Sequence, residues 1–423
     1  MTSEIKQRIT QLNNGEIPSG YEKTEFGVFP CDWVTNKTLN RVCQINPKTN
    51  CLPNQFIYLD LGSVQDRKII ERNIIDCENA PSRAQRVLSK NDILYQIVRP
   101  YQKNNLFFNV EDEQYHTVAS TGYALIRSKM QSYLFQIIHA DYFVNQVNAK
   151  CTGTNYPAIN SDDLGKVFIA YPASTEEQSK IAEILMKWDE AIELYNQLIE
   201  KLKQLKSVCL KKMFPQRGEK VPEWRFKGFT GAWEQRKVFE LAEKTYGGGT
   251  PATSNEAFWN GNIPWIQSSD IVDGKLFGVE PRKHITQEGL NNSATQLVPE
   301  NSIAIITRVG VGKLAFMPFP YTTSQDFLSL SKLNTEPFFT VYACYKKLQS
   351  ELNAVQGTSI KGITKDELLA KIIMVPEYAE QQQIGAFFRR LDNLITLHQR
   401  KVDKIKAQQR VLQKYLLNGI IRV

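Results

Sequence analysis

Histidine is scarce in this sequence, and the cysteines form no recognisable pairs. The four histidines (His116, His139, His284 and His398) do not recur at the spacing of metal ligands, and the seven cysteines include no C-x-x-C pair. The sequence therefore predicts no metal site. An odd number of scattered cysteines is typical of a reduced, intracellular chain and argues against a disulfide framework.

Long apolar runs are absent as well. No stretch approaches the ~20 apolar residues that span a bilayer. Residues 1–20 are polar, so we expect no membrane segment, no signal peptide and a cytoplasmic location. The 423 residues are 42% hydrophobic and 23% charged, an ordinary composition for two or three globular domains. The net charge of +8 favours an acidic partner such as nucleic acid, although many proteins without such a partner reach this value.

The motifs of common catalytic and nucleotide sites are also missing. The stretch VGVGK (309–313) resembles a phosphate-binding loop, but Leu314 stands where that loop requires Ser or Thr, and its first glycine is absent. The stretch GGGTP (247–251) does not open a helix of a βαβ unit, so we interpret it as a turn. G-x-S-x-G, H-E-x-x-H and the Asn/Asp-Pro-Pro-aromatic tetrapeptide of amino-methyltransferases do not occur. These absences predict a protein without catalysis of its own.

An internal repeat is the most informative feature that is present. The stretch TNYPAINSDDLGKVFIAYP (154–172), here called the first joint, shares Thr, Ile, Asp, Leu, Ile and Pro at a constant offset with TSIKGITKDELLAKIIMVP (358–376), the second joint. A glycine, Gly153 or Gly357, precedes each copy. Each joint leads into a Gly/Pro-poor run of about forty residues, which predicts a helix on the order of 60 Å long.

The two predicted helices are the first long helix (174–214) and the second long helix (378–423), and both carry apolar residues in steps of four and three in the same phase. A spacing of 3.5 residues over three heptads is typical of a coiled-coil seam rather than of a helix lying on a sheet. We therefore expect the helices to bury their seams against each other or against partners, the alternative being two unrelated amphipathic helices. Tyr195 and His398 also fall on the seams, and the predicted coiled-coil and partner-binding positions are Ile181, Leu185, Trp188, Ile192, Ile199, Leu202, Ile384, Phe388, Leu391, Ile395, Val402 and Ile405.

Upstream of each helix, residues 21–173 (the first globule) and 224–377 (the second globule) are rich in β-branched and aromatic residues, with frequent Gly, Pro and Asn breaks. Residues 1–20 form a predicted N-terminal helical segment and residues 215–223 a linker. The predicted fold class is α+β, with two globules alternating with two long helices that pack as an antiparallel coiled coil, pseudo-two-fold symmetric. Strand candidates are Gln55–Leu61, Asp92–Val98, Tyr123–Ile126, Ile263–Gln267 and Ser302–Thr307.

Side chains suited to DNA contact follow a predicted strand in the first globule. The stretch IVRPYQKNN (97–105) offers Arg, Gln and Asn, which can bond to base edges, and Lys, which suits phosphate. The predicted DNA-binding residues of this globule are Arg67, Arg83, Arg86, Arg99, Tyr101, Gln102, Lys103 and Asn104.

The stretch ITRVGVGK (306–313) takes the equivalent position in the second globule, so Arg308 aligns with Arg99. Any single Arg or Lys is as compatible with a solvated surface charge, but two Arg residues at matching strand ends favour DNA contact. The predicted DNA-binding residues of this globule are Ser268, Ser269, Arg308, Lys313, Thr322, Thr323 and Gln325.

Four stretches in this order resemble the specificity subunit of Type I restriction–modification systems: IPSGYEKTEFGVFPCDW (17–33), GGGTPATSNEAFWNGNIPWIQSSDI (247–271), AIITRVGVGKLAF (304–316) and AEQQQIGAFFRRLD (379–392). An E-Q-x-x-I start of the long helix occurs twice, at Glu177 and Glu380, and the resemblance covers essentially the whole chain. The first globule lacks the Gly-rich pattern and has INPKTN (45–50) and FIYLDLGSV (56–64) instead, as expected if the two globules read different bases.

The resemblance implies a non-catalytic subunit in which each globule is a target-recognition domain that reads one half of a bipartite, asymmetric site in double-stranded DNA. It implies that the helices set the unread spacer and dock two methyltransferase subunits, and that two restriction/translocase subunits can join them. S-adenosylmethionine, ATP and Mg²⁺ would belong to those partners, with no cofactor in this subunit and no membrane involved.

Two other interpretations stay open. A stand-alone or Type IIB-like bipartite DNA-binding protein would have the same readers without Type I partners, and an adjacent methyltransferase gene would distinguish the two. A nuclease with an unrecognised site would cut DNA with Mg²⁺ alone.

Overall fold

The computed structural model describes residues 2–48, 51–110, 114–354 and 362–423. The two long helices are present, from Thr175 to Lys212 and from Tyr378 to Leu417. Strands occur at all five predicted positions, with ends that differ by a few residues. The beginning of the second joint, with Gly357 and Thr358, lies outside the described residues.

The chain forms two compact units, and each contains a segment of both long helices. The terminal unit comprises Met1–Tyr195 and Lys401–Val423, and the internal unit comprises Asn196–Arg400. Each unit is described by itself below.

The terminal unit contains the helices Ser3–Asn13, Gln131–Ile137, Asp141–Lys150 and Ser161–Gly165. One four-stranded antiparallel sheet has the order Leu106–Phe108, Asp92–Gln96, Tyr123–Ser128, Cys43–Ile45. A second has the order Asn73–Asp76, Gln55–Leu59, His116–Ser120, Ala84–Val87, and its two middle strands are parallel. Two-stranded pairs join Tyr21–Thr24 to Gly27–Pro30, Trp33–Thr38 to Phe168–Pro172, and Val64–Gln65 to Lys68–Ile69.

The internal unit contains the helices Gln287–Asn291, Pro337–Ala354 and Lys365–Ala370. Its four-stranded antiparallel sheet has the order Ala242–Gly247, Phe327–Leu333, Ser302–Ile306, Leu314–Met317. A three-stranded sheet has the order Lys283–Ile285, Trp259–Ile266, Thr322–Thr323, and Glu234–Lys237 pairs with Ile372–Val375.

In each globule, the strand that precedes the predicted DNA-contacting loop is buried on both faces. Along Asp92–Gln96, Ile93 and Tyr95 belong to one apolar cluster and Leu94 to another. Along Ser302–Ile306, Ile303 and Ile305 again belong to one cluster, while the alternate residues belong to a second. Because successive side chains of a strand point to opposite faces, both strands are held between two cores. The loop that follows each strand therefore begins from a rigid position.

Each joint contains a short helix followed by a strand that closes its globule. In the first joint, the Asn160 side chain accepts a hydrogen bond from the Asp163 N–H at 2.7 Å and caps Ser161–Gly165. In the second joint, Thr364 and Glu367 form a capping box at the start of Lys365–Ala370. These caps satisfy N–H groups that a helix start leaves unpaired, and they lie within the Ile-x-x-Asp-Asp/Glu-Leu pattern that the two copies share.

The predicted seam positions are buried or half-buried in the unit to which each belongs. In the terminal unit, Ile181 and Leu185 share an apolar cluster with Leu416 and Leu417. In the internal unit, Cys209 of the first long helix shares a cluster with Phe388 of the second. The buried seam positions are Ile181, Leu185, Ile199, Ile384, Phe388, Leu391 and Val402, and the half-buried ones are Trp188, Ile192, Leu202, Ile395 and Ile405.

Candidate nucleic-acid interface

The loop of residues 97–105, here called the first readout loop, has an unusual backbone. Its single 3-10 turn, Pro100–Gln102, lies between Arg99 (φ 54°, ψ 55°) and Lys103 (φ 57°), both in the left-handed region. Non-glycine residues in that region cost roughly 1–3 kcal/mol each and persist where the surroundings hold them. The conformation of this loop is therefore imposed by its contacts.

Gln96, at the end of the preceding strand, holds the loop closed. Its amide Nε2 donates to Gln102 Oε1 at 2.9 Å, and its Oε1 accepts from the Asn104 N–H at 3.2 Å. Asn105 is buried and accepts from the Gln96 N–H at 2.9 Å, while its Nδ2 lies 3.2 Å from His139 Nε2. Burial holds the pKa of His139 well below its ordinary value, so this network contains a neutral imidazole at physiological pH.

The predicted DNA-binding residues of this loop thus fall into two groups. Gln102 through its side chain, and Asn104 through its backbone N–H, bond to Gln96 and shape the loop. Tyr101 is 53% exposed to solvent, and Lys103 is half-buried. The side chains of Arg99, Tyr101 and Lys103 take no part in this closure of the loop, so they are the first candidates for contact with a ligand.

The first joint forms backbone hydrogen bonds with the first readout loop, a contact that the sequence did not indicate. The Arg99 N–H donates to the Pro157 carbonyl at 2.7 Å, and the Ile159 N–H donates to the Ile97 carbonyl at 3.0 Å. Tyr156, which we did not select from the sequence, lies beneath the Arg99 guanidinium, with 4.2 Å between the guanidinium carbon and the ring centroid. The only sequence signal was the position of this aromatic residue inside the repeated stretch.

Arg67 is paired with other side chains of the terminal unit. Its Nη1 lies 3.0 Å from Asp189 Oδ2 on the first long helix, and its guanidinium covers the Phe135 ring at 5.6 Å. The side chain is committed to these partners because it sits at the tip of a tight hairpin, where Asp66 and Arg67 both have positive φ. We therefore leave Arg67 out of the candidate interface.

Arg83 and Arg86 lie on or beside the strand Ala84–Val87. Arg83 is exposed, and its backbone carbonyl accepts from the Thr121 N–H at 2.8 Å. Arg86 is half-buried, and burial lowers the pKa of its guanidinium. Arg83 thus remains in the candidate interface as an exposed cation near the end of the sheet.

In the second globule, residues 307–313 form the second readout loop. The loop joins two antiparallel strands, and Gly310 and Gly312 adopt φ values of 91° and 93°, which suit glycine. Arg308 and Val309 are exposed, and the Val309 side chain is 71% exposed at the tip. Because the loop leads into a strand, VGVGK lacks the helix start that a phosphate-binding loop needs.

A second segment lies beside this loop. The Thr307 N–H donates to the Asp326 carbonyl at 2.7 Å, which places Gln325 next to the Arg308 loop. Gln325 is exposed and accepts from the Thr250 hydroxyl at 2.7 Å. The glycines of GGGTP allow this approach, because a Cβ on Gly248 would overlap the Ser324 carbonyl.

Thr322 and Thr323 were predicted to contact DNA, and the structure places them in the interior. Their exposed fractions are 0% and 1%, and the Thr322 hydroxyl donates to the Pro264 carbonyl at 2.9 Å. Both form the short strand beside Trp259–Ile266, so they support the loops rather than line a surface. Of the other predicted residues, Ser269 is exposed, and Ser268 and Lys313 are half-buried.

The structure also shifts the alignment of the two readout loops by one residue. Ile159 of the first joint bonds to the Ile97 carbonyl, and Ile363, its counterpart in the second joint, bonds to the Thr307 carbonyl at 2.8 Å. Ile97 therefore matches Thr307, and Arg308 follows directly where Arg99 comes one position later. The aligned strand-end arginines occupy neighbouring positions rather than the same one.

Within residues 2–48, 51–110, 114–354 and 362–423, no group of three or more His, Cys, Asp and Glu side chains is placed to hold a metal ion. None of the helices in these ranges combines the length and the apolar composition that crossing a bilayer requires.

Comparison with known proteins identifies the class. A profile of the family described as Type I restriction modification DNA specificity domain matches residues 9–204 and 231–407. This match covers most of the chain and includes both readout loops. The chain belongs to this family.

Two curated relatives and one solved structure are similar to the chain. The Type I restriction enzyme MjaIX specificity subunit of Methanocaldococcus jannaschii is 27% identical over 189 residues, which cover 44% of this chain and 42% of that protein. The Type I restriction enzyme HindI specificity subunit of Haemophilus influenzae is 22% identical over 454 residues, covering 88% and 95%. The crystal structure of the Type I restriction-modification system S subunit from M. genitalium shares the fold, with a TM-score of 0.59, 15% identity and coverage of 91% and 96%.

Proposed function

We propose that this chain is the sequence-specific DNA-recognition subunit of a Type I restriction–modification complex, in which each globule reads one half of a bipartite, asymmetric site. The observation that carries this proposal is the repeated loop: each globule has an arginine in a loop that leaves a doubly buried strand and is held by the following joint. Such a loop presents a bidentate donor from a rigid scaffold, which is what reading a base edge requires.

The proposed base-reading and backbone-contacting side chains are exposed or half-buried ones in or near the two loops. Arginine, glutamine and asparagine suit base edges, whereas lysine suits phosphate. The candidates that remain after the structural corrections are Arg83, Arg86, Arg99, Tyr101, Gln102, Lys103, Asn104, Ser268, Ser269, Arg308, Lys313 and Gln325.

The long helices are proposed to pair as an antiparallel coiled coil with pseudo-two-fold symmetry and so to set the spacer. Support comes from two contacts, each inside its own unit. Gln409 Nε2 donates to Asp189 Oδ1 at 2.7 Å, and Lys206 Nζ lies 2.6 Å from Asp392 Oδ1. The residues correspond in the repeat, Asp189 to Asp392 and Lys206 to Gln409, so each pair joins the same two positions of the two helices.

The partners would be two methyltransferase subunits, docked on apolar residues of the long helices that face solvent. Leu194 is 59% exposed and Leu397 is 60% exposed, with further exposed positions at Leu198, Leu205, Val208 and Leu394. Exposed apolar positions grouped on a surface are typical of interaction sites. The partners would supply S-adenosylmethionine chemistry on adenine, which requires flipping the base out of the duplex, and ATP- and Mg²⁺-dependent restriction subunits can complete the complex.

The decisive experiment expresses the chain with a methyltransferase subunit of its system in a host that lacks other adenine methylation. Sequencing of methylated bases should show one asymmetric motif with two defined parts and a fixed unread spacer, absent without the chain. A chain that binds the same bipartite site but recruits no methyltransferase would support the stand-alone or Type IIB-like alternative. Cleavage of DNA by the purified chain with Mg²⁺ alone would overturn the non-catalytic assignment.

A further inference from the structure

Tyr156 and Arg99 form a stacked pair at the surface of the first globule. The guanidinium carbon lies 4.2 Å from the ring centroid, well inside the ~6 Å reach of a cation–π contact. Tyr156 is nevertheless 67% exposed and Arg99 is half-buried, so the stacked pair lies at the surface of the globule. Stacking on the exposed ring restricts the Arg99 side chain, which would otherwise sample many rotamers.

The backbone beneath this pair is fixed from both sides. Arg99 adopts a left-handed conformation, with φ 54°, and its N–H donates to the Pro157 carbonyl at 2.7 Å. Val98 and Ala158 form an antiparallel bridge, and Ala158 also pairs with Thr152. The first joint therefore wraps around the readout loop and brings the aromatic ring to the arginine. The left-handed strain at Arg99 is of the kind that collects at binding sites.

The Arg99 guanidinium has donor capacity that the fold does not use. Its Nε is buried, yet it has no hydrogen-bond partner among the residues that the structure describes. Buried donors are almost always paired in native proteins, so an unpaired one beside an open surface indicates an acceptor that arrives with a ligand. Stacking on Tyr156 engages the face of the guanidinium and uses none of its in-plane N–H donors.

We propose that Tyr156 is a positioning residue for specificity: it holds the Arg99 guanidinium in the plane that bonds bidentately to O6 and N7 of a guanine in the first half-site. This inference rests on the proposed function and deepens it by naming the base and the residue that orients its reader. Guanine is the base whose major-groove edge offers two acceptors to an arginine fork. A lysine could supply the charge but not the fork.

The proposal assigns a role in recognition to the first joint. Its first residues, from Thr154 to Ile159, belong to the reading site, while its capped helix and strand close the globule. The second joint has Ile360 at the position of Tyr156, which falls outside the described residues. A stacked arginine is therefore proposed for the first half-site alone.

The test uses the methyltransferase complex and duplexes that carry its own site, first mapped by sequencing of methylated bases. Each guanine of the first half-site is replaced in turn by 7-deazaguanine, which lacks the N7 acceptor. One replacement should weaken binding of the wild-type complex about tenfold or more. Tyr156→Leu keeps the bulk but removes the aromatic face, so its complex should lose most of this discrimination, and Arg99→Lys should do the same. Tyr156→Phe retains the ring, so its complex should discriminate between guanine and 7-deazaguanine as the wild type does.

The outcomes separate this inference from the proposed function. A wild-type complex that shows no sequence preference at all would overturn the proposed function. The inference alone would be overturned if the complex read both half-sites but the first contained no guanine, or if 7-deazaguanine had no effect at any position there. A Tyr156→Leu complex that discriminates like the wild type would also overturn it. Reading of the second half-site by each variant reports whether it is folded; if Tyr156→Leu fails that check, the Tyr156→Phe and 7-deazaguanine measurements decide.

Discussion

Arg67, Arg99 and Arg308 are the same residue type in similar polar loops, but their surroundings differ. Arg67 is paired with Asp189 on the first long helix, Arg99 is stacked on Tyr156, and Arg308 is exposed on a glycine-rich loop. Local sequence predicted a strand end for Arg99 and Arg308. It could not predict their partners, because Asp189 and Tyr156 lie far along the chain and meet these arginines only through tertiary packing.

Replacing Arg308 by Ala should remove a base contact in the second half-site. We expect a loss of about 1–3 kcal/mol in binding to the cognate site, and relaxed preference at one position of that half-site, because a bidentate arginine is worth this much discrimination. Competition binding with all single-base variants of both half-sites measures it. Equal weakening on every sequence would instead make Arg308 a phosphate contact.

Replacing Arg67 by Ala should lower stability without changing the bases read. The Arg67 and Asp189 side chains are 29% and 32% exposed, and ion pairs at such sites contribute roughly 0.2–1 kcal/mol. We expect the free energy of unfolding to fall by about that amount in urea denaturation. Arg83→Ala is the matched control: its exposed side chain should matter for binding and hardly for unfolding. A changed first half-site in the Arg67 variant would contradict this assignment.

At the scale of elements, the segments with a periodic pattern of apolar residues were predictable. The two long helices follow from their heptad spacing. The short helices of the joints were not predicted, although Asn160 and Thr364, which cap them, are of residue types that favour helix starts. The interleaving of the first joint with the readout loop was not predictable. It depends on backbone hydrogen bonds between segments that have no complementary sequence pattern, such as Arg99 N–H to Pro157 O.

Lys206 of the first long helix and Asp392 of the second form a nearly buried ion pair in the internal unit. Their side chains are only 11% and 16% exposed, and the Tyr342 hydroxyl also donates to Asp392 at 2.6 Å. Lys206→Leu should destabilise the chain by roughly 3 kcal/mol, because it leaves a nearly buried carboxylate without its cation. Lys206→Gln introduces the residue that Gln409 provides at the matching position, and its amide can still donate.

Thermal and denaturant unfolding of the two variants measures this difference. The glutamine variant should retain most of the stability that the leucine variant loses. A leucine variant as stable as the wild type would show that the Asp392 carboxylate does not need its cation, and the proposed role of the two matched polar contacts in fixing the helix register would be lost.

At the scale of the whole molecule, the ordered set of motifs indicated the family, and the family profile confirms it over residues 9–204 and 231–407. The two units of the structure each contain segments of both long helices. The predicted division into globule, helix, linker, globule and helix describes the chain as a sequence of segments and stays a prediction. Heptad phase is local information, whereas the choice of partner for each seam depends on the complete fold.

A deletion experiment tests the proposal that the globules read the bases and the long helices set the length of the spacer. Removing the seven residues Ile192–Leu198 keeps the heptad phase and shortens the first long helix by ~10 Å. Because the second long helix keeps its length, we expect a shorter recognised spacer or complete loss of methylation, with the bases of both half-sites unchanged. A deletion of four residues at the same place breaks the phase and should be more damaging. Sequencing of methylated bases measures motif and spacer together.

The matched control exchanges a globule for that of a relative, and the structure determines where to cut. A cut at Thr154 would separate Tyr156 from Arg99, whereas a cut after Pro172 transfers the readout loop together with the joint that holds it. The exchange after Pro172 should replace one half-site and leave the spacer alone, and the exchange at Thr154 should read its new half-site less strictly. If an exchanged globule altered the spacer while the seven-residue deletion left it untouched, the helices would not be the measuring element, because the distance would then be set by the readers themselves.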